Sequence, residues 1–189
     1  PLINMINGGK HCNNGLSFQE FMILPSGASD FKEGVRIGAE IFHQLGEILK
    51  LDGYSCSVSD EGGFAPALSS NEKALALVVK AIAQAGYQPG KDVTLALDAA
   101  APQLWVNGAY HLCDKENMAM TTEDLLEYYE YLCDKFPIRL IEDGLDQDDW
   151  DGWCQLTQRL GHKTILAGDD FFVSNVSRMQ MGVQKCAGN

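Results

Sequence analysis

The chain has no C-x-x-C pair, no apolar run long enough to cross a bilayer, no low-complexity tract and few basic residues. Each lack excludes something. With no second His or Cys at zinc spacing around His11 and Cys12, a structural zinc site is set aside. Without an apolar stretch of about 20 residues, neither a transmembrane helix nor a signal peptide is expected. Only 14 basic residues stand against 26 acidic ones, a net charge of −12. Nucleic acid and anionic membrane both need a basic face, so neither is expected as a partner. An acidic protein can still take an anionic substrate if metal ions supply the positive charge. Six cysteines (Cys12, Cys56, Cys113, Cys133, Cys154, Cys186) are scattered along 189 residues. A chain of this size builds a core without covalent staples, so they read as reduced thiols in a cytoplasmic protein. Gly8-Gly9-Lys10 lacks the spacing of a phosphate-binding P-loop.

What is present is an ordinary globular composition, 46% hydrophobic and 21% charged, about one domain's worth. Three short apolar runs each end in an acid: Val93 to Asp98, Ile138 to Glu142 and Thr164 to Asp169. Runs of this length read as buried parallel strands, and the helical segments between them make consecutive βα units. Asp98, Glu142 and Asp169 then lie at one end of a sheet, where α/β folds place their chemistry. Two like charges about 4 Å apart cost roughly 4 kcal/mol at an effective dielectric near 20. A hard divalent cation with oxygen ligands, Mg²⁺ first among them, relieves that repulsion. Helix caps are the other reading of strand-end acids, and at this point both stand.

Along the chain, strands are expected at residues 3–6 and 18–24. Asp30 starts a helix, with Glu33 as its capping partner and Phe31, Val35, Ala39, Phe42, Leu45 and Leu49 as its inward stripe. Gly34 and Gly38 on that helix point to a close packing contact. Ser69-x-x-Glu72 opens a second helix ending at Gly86. Asn107-Gly108 reads as a hairpin turn. Thr121 or Thr122 starts a helix ended by Pro137. The acidic run Asp146, Asp148, Asp149 and Asp151 reads as a solvated helix start. Asn175 caps a last helix with Val176, Met179 and Val183 inward. The order is β-β-α-α-β-α-β-α-β-α.

Several strings then carry a resemblance. Asn4-Met5-Ile6-Asn7-Gly8-Gly9-Lys10-His11, Gln19-Glu20-Phe21-Met22, Asp60-Glu61-Gly62-Gly63-Phe64-Ala65-Pro66, Ile141-Glu142-Asp143-Gly144-Leu145-Asp146 and Gly168-Asp169-Asp170 occur in the order found in enolases. The chain resembles the N-terminal part of an enolase barrel domain from end to end. The resemblance implies an α/β fold, the ββαα(βα)n TIM-like barrel, with about five of eight strands in residues 1–189 as a partial catalytic domain. It implies Mg²⁺-dependent dehydration of 2-phosphoglycerate to phosphoenolpyruvate in glycolysis, and a homodimeric full-length parent. Asp98, Glu142 and Asp169 resemble the ligands of the catalytic Mg²⁺. Glu61 resembles the general acid, Glu20 its partner around the leaving hydroxyl, and His11 a substrate-binding histidine on an active-site loop. An acid that donates at neutral pH needs a raised pKa, which crowding by Asp60 and Glu20 could supply.

The sequence departs from the enolase pattern at Ser59, where glycine is common, at Pro102-Gln103, where Ser-Glu is usual, and at Cys12, where alanine is usual. The chain opens at Pro1 without an initiator Met and stops at Gly188-Asn189, so it reads as a piece of a longer polypeptide. The resemblance places the base lysine, the Ser-His-Arg stretch and a second lysine beyond Asn189, and a smaller N-terminal capping domain before Pro1. The 189 residues alone are therefore expected to be inactive. A related lyase of the enolase superfamily and a non-catalytic binding or assembly module are the alternatives.

Overall fold

The computed structural model describes residues 1–9, 12, 14–113 and 118–189. Its main sheet has five strands: β1 (Ile3–Asn7), β2 (Glu20–Leu24), β3 (Thr94–Asp98), β7 (Ile138–Glu142) and β8 (Ile165–Ala167), lying side by side in that order. Pairing is antiparallel from β1 to β2 and from β2 to β3, then parallel from β3 to β7 and from β7 to β8. The parallel steps are the expected βα units, and the barrel is not closed. A hairpin, β4 (Trp105–Val106) and β5 (Ala109–His111), with β6 (Ala119–Met120), forms a small second sheet. Its turn is Asn107-Gly108, both with positive φ (52° and 88°), the backbone a two-residue hairpin needs.

Five helices complete the described residues: α1 (Phe31–Leu51), α2 (Asn71–Gln84), α3 (Thr122–Lys135), α4 (Trp150–Leu160) and α5 (Val176–Lys185). Their starts follow capping chemistry. Asp30 accepts from the Glu33 N–H, Thr121 and Asp124 form a full capping box, Asp149 accepts from Gly152, and Asn175 accepts from Ser177 and Arg178. Ser70, one residue later than expected, caps α2. Helix α3 gives way at Phe136, the residue before Pro137, whose neighbour is held in extended backbone.

Two inward stripes differ from expectation. On α1 the buried face is Gly34, Ile37, Gly38, Ile41, Leu45, Ile48 and Leu49, while Phe31 and Val35 are exposed. Closeness decides this. A Cβ on Gly38 would stand 2.1 Å from Ile3 Cδ1, and one on Gly34 2.9 Å from Pro1, so the helix meets β1 through its glycines. On α5 only Gly182 is buried, and Val176, Met179 and Val183 face outward. The helix is anchored by Gly182 against Phe172 and Ala187 and by Arg178, which donates to the Phe171 carbonyl and lies over the Trp150 ring, while Val176 and Val183 stay exposed.

The sheet's two faces are unlike. One carries Phe21, Ile23, Leu95, Leu97 and Ile141 into the main core under the helices. The other carries Met22, Ala96 and Leu140, a small separate apolar cluster. Alternation puts Glu20, Asp98 and Glu142 on this second face, two residues along from that cluster.

Candidate active site

Strand register builds the site. Asn7 pairs with Glu20, Glu20 with Asp98, Asp98 with Glu142, and Glu142 with Ala167, one row across all five strands. The row marks the C-terminal end of the parallel strands, the end that carries active sites in βα barrels. Asp169 follows two residues after Ala167 and is exposed.

Asp143 sets the Asp169 turn. Its backbone is left-handed (φ 43°), and its N–H donates to the Ala167 carbonyl at 3.1 Å. Its carboxylate then accepts three backbone N–H groups: Asp169 at 3.0 Å, Asp170 at 2.9 Å and Phe171 at 3.3 Å. The turn is thereby wrapped around one buried acid. Asp98 is held similarly, by the Ala100 N–H at 2.9 Å and by Gln19 Nε2 at 3.2 Å. Gln103 Nε2 in turn donates to Gln19 Oε1 at 3.1 Å, so the unusual Pro102-Gln103 pair joins the site through Gln19.

The electrostatics are those of crowded acids. Burial first, then the charges of Glu142, Asp143 and Glu20, push the Asp98 carboxyl up to about 8. Burial, followed by Asp143 and Asp169, raises Glu142. Burial raises Asp143 despite its N–H partners.

Among the described residues, no group of three or more His, Cys, Asp or Glu side chains forms a cluster that could hold a metal ion. Glu142 is the electrostatic neighbour of both Asp98 and Asp169, and the three do not form a closed shell. Their chemistry nevertheless fits a hard divalent cation: ionised carboxylates only accept, and Asp98 is 8% exposed, where an uncompensated charge is costly.

On the opposite side, the 59–66 loop is stitched along β1. The Asn7 N–H donates to the Phe64 carbonyl and the Phe64 N–H to the Met5 carbonyl, each at 2.9 Å. The register of β1 on β2 shifts between Asn4 and Ile6, the mark of a β-bulge. Asn4 and Asn7, three residues apart, therefore both pair with residues of the Glu20 and Met22 face. Asn4 Nδ2 donates to Glu20 Oε1 at 2.9 Å and to the Glu61 carbonyl at 3.4 Å. Asn7 Nδ2 donates to Glu61 Oε2 at 2.9 Å. Two asparagines thus bring Glu20 and Glu61 to one end of β1. Gly63 has to be glycine here, since a Cβ would stand 2.5 Å from Asn7 Oδ1. Cys12 lies within reach of the same loop: burial, with the charges of Asp60 and Glu61 behind it, raises its thiol pKa.

A family model described as "Enolase, C-terminal TIM barrel domain" matches residues 1–189. The chain belongs to this family. For a member of the enolase C-terminal barrel family, the expected residues fall into two groups. Glu20, Asp98 and Glu142 share the register row with Asp169 just beyond it, and Glu61 joins Glu20 through β1. His11 lies outside the described residues. Sequence reasoning gave no role to Asn4, Asn7, Gln19 or Asp143. All four stood inside the quoted strings, but only Gln19 and Asp143 adjoin an acid that was given a role. All six cysteines are free thiols. No helix among the described residues is long and apolar enough to cross a membrane.

Proposed function

We propose that this chain carries the acid side and the metal-ligand side of an active site for the Mg²⁺-dependent dehydration of 2-phosphoglycerate to phosphoenolpyruvate. The observation that supports it best is the row Glu20–Asp98–Glu142 on one sheet face, with Glu61 tied to the same end.

In this reading Asp98, Glu142 and Asp169 hold the cation, and Asp143 keeps the Asp169 turn in place. A bound divalent cation supplies positive charge against the negative charge that develops when a proton beside a carboxylate is removed. Glu61 gives its carboxyl proton to the departing hydroxyl as general acid, Glu20 sits beside the same leaving group, and His11 contacts the substrate. Neither acid needs to move far, because Asn4 and Asn7 tie both to β1.

The same reading treats residues 1–189 as part of a barrel, completed in a homodimeric parent by further strands and a capping domain. A general base is not among the residues it assigns here, so it expects no turnover from these 189 residues alone. The test compares two proteins in Mg²⁺ buffer. The full-length gene product should convert 2-phosphoglycerate to phosphoenolpyruvate, and the Glu61→Gln variant should lose that conversion. Dehydration by the purified 189-residue chain would overturn the partial-site reading. A full-length product inert toward 2-phosphoglycerate would overturn the activity itself.

A further inference from the structure

The polar contacts around Glu61 have directions that can be worked out, because two of the donors are backbone N–H groups and cannot reverse. The Gly63 N–H points at Asn7 Oδ1 at 3.0 Å, which fixes the Asn7 amide: a flipped side chain would set NH₂ against N–H. The Glu61 N–H points at Ser59 Oγ at 3.2 Å, so the Ser59 hydroxyl accepts there and has its own hydrogen to give. That hydrogen goes to Asn7 Oδ1, 2.5 Å away. The Asn7 NH₂ group is left to donate, to the Gln19 carbonyl at 3.3 Å and to Glu61 Oε2 at 2.9 Å. Asn7 is fully buried. All of its side-chain contacts run to the 59–63 loop or to the chain beside Glu20.

We propose that Asn7 and Ser59 are positioning residues for the acid step: Asn7 holds Glu61 by donating to its Oε2, and Ser59 locks Asn7 in that orientation. This rests on the reading of Glu61 as general acid. An amide N–H has no lone pair to offer, so a carboxyl oxygen facing it does best as an acceptor. Glu61 thereby enters the reaction with one side-chain orientation. Ser59 gives this chain a hydroxyl at a position where the enolase pattern commonly has glycine. A glycine there would leave Asn7 Oδ1 with Gly63 alone and the Glu61 N–H without this acceptor.

The experiment uses the full-length gene product with 2-phosphoglycerate in Mg²⁺, reading kcat, KM, the pH profile of kcat/KM and Tm. Asn7→Ala should lower kcat about 100-fold and Ser59→Ala about 10-fold, with KM within about twofold. Ser59→Thr, which keeps the hydroxyl, should restore most of the Ser59→Ala loss. Asn7→Asp puts a second carboxyl against Oε2 and should shift the limb of the profile belonging to Glu61 to higher pH. A fall in Tm with kcat and the pH profile unchanged in Asn7→Ala, Ser59→Ala and Asn7→Asp would overturn the proposal, making the network structural only. Failure of the underlying reading looks different: Glu61→Gln would itself keep wild-type kcat.

Discussion

Near β1 and β2 the molecule is closed and tied: α1 buries seven of its residues, and Asn4 and Asn7 fasten both Glu20 and Glu61. Near β8 it is open. Helix α5 buries only Gly182, Ile165 is partly exposed, and Asp169 reaches solvent from a turn whose N–H groups are held by a single side chain. Both regions place acids on the same end of one sheet, yet one does so through buried amides and the other through one buried carboxylate. The contrast teaches where precision is built in. A neutral amide can orient an acid without adding charge, whereas Asp143 adds its own charge to those of Glu142 and Asp169. The β7–β8 side is therefore the one that gains most from a cation.

Truncation should break the contrast most directly. Leu45→Ala, fully buried on α1, should cost about 2–5 kcal/mol in urea unfolding. Loss of less than 1 kcal/mol would mean that the α1 side is not the tighter one. Metal should sharpen it next. Mg²⁺ at about 100 times its Kd should stabilise the chain by roughly 2.7 kcal/mol, seen as a rise in Tm, and Asp169→Asn should abolish that rise. A Tm indifferent to Mg²⁺ would favour a non-catalytic assembly module.

The sign of the pH effect follows from Asp98, whose carboxyl is held at about 8 against an ordinary 3.8. Between those values the folded chain keeps a proton that the unfolded chain has lost. The contribution of Asp98 to stability without divalent cations is therefore fully present below about pH 4 and is lost as pH rises through about 8. Asp98→Asn should flatten that slope, and Mg²⁺ should stabilise more at pH 8 than at pH 5.

Asp143→Ala, which strands three N–H groups, should cost about 1–3 kcal/mol and speed hydrogen exchange at Asp169, Asp170 and Phe171. Unchanged exchange there would show that the turn stands without its acid. The smallest effect belongs to α5: Val183→Ser should move stability by no more than about 0.5 kcal/mol, since that side chain is 81% exposed.

Much of this was readable from residue order, and the reasons differ by element. Caps at Asp30, Thr121 and Asn175 are local chemistry, so they are visible wherever the residue types occur. The alignment of Asp98 with Glu142 followed from two apolar runs ending alike, because parallel strands share a direction. On α1 the close contact at Gly34 and Gly38 and the inward Leu45 and Leu49 follow from the sequence, whereas Phe31 and Val35 of the same apolar stripe are exposed because the helix meets β1 through its glycines. On α5 the apolar stripe was seen but its burial was not, since burial needs a partner that local pattern does not report. The roles of Asn7 and Ser59 depend on contacts spanning more than fifty positions, beyond any local pattern.

The extra residue in β1 leaves this strand intolerant of a further one. One residue inserted between Asn4 and Asn7, with the bulge kept, would leave the composition nearly untouched and keep a strand of ordinary appearance, yet Asn4 and Asn7 would then point to opposite sides. One of the two acids would lose its tether while the other kept it. For this segment spacing matters as much as residue type, and a one-residue insertion would do more harm than many substitutions.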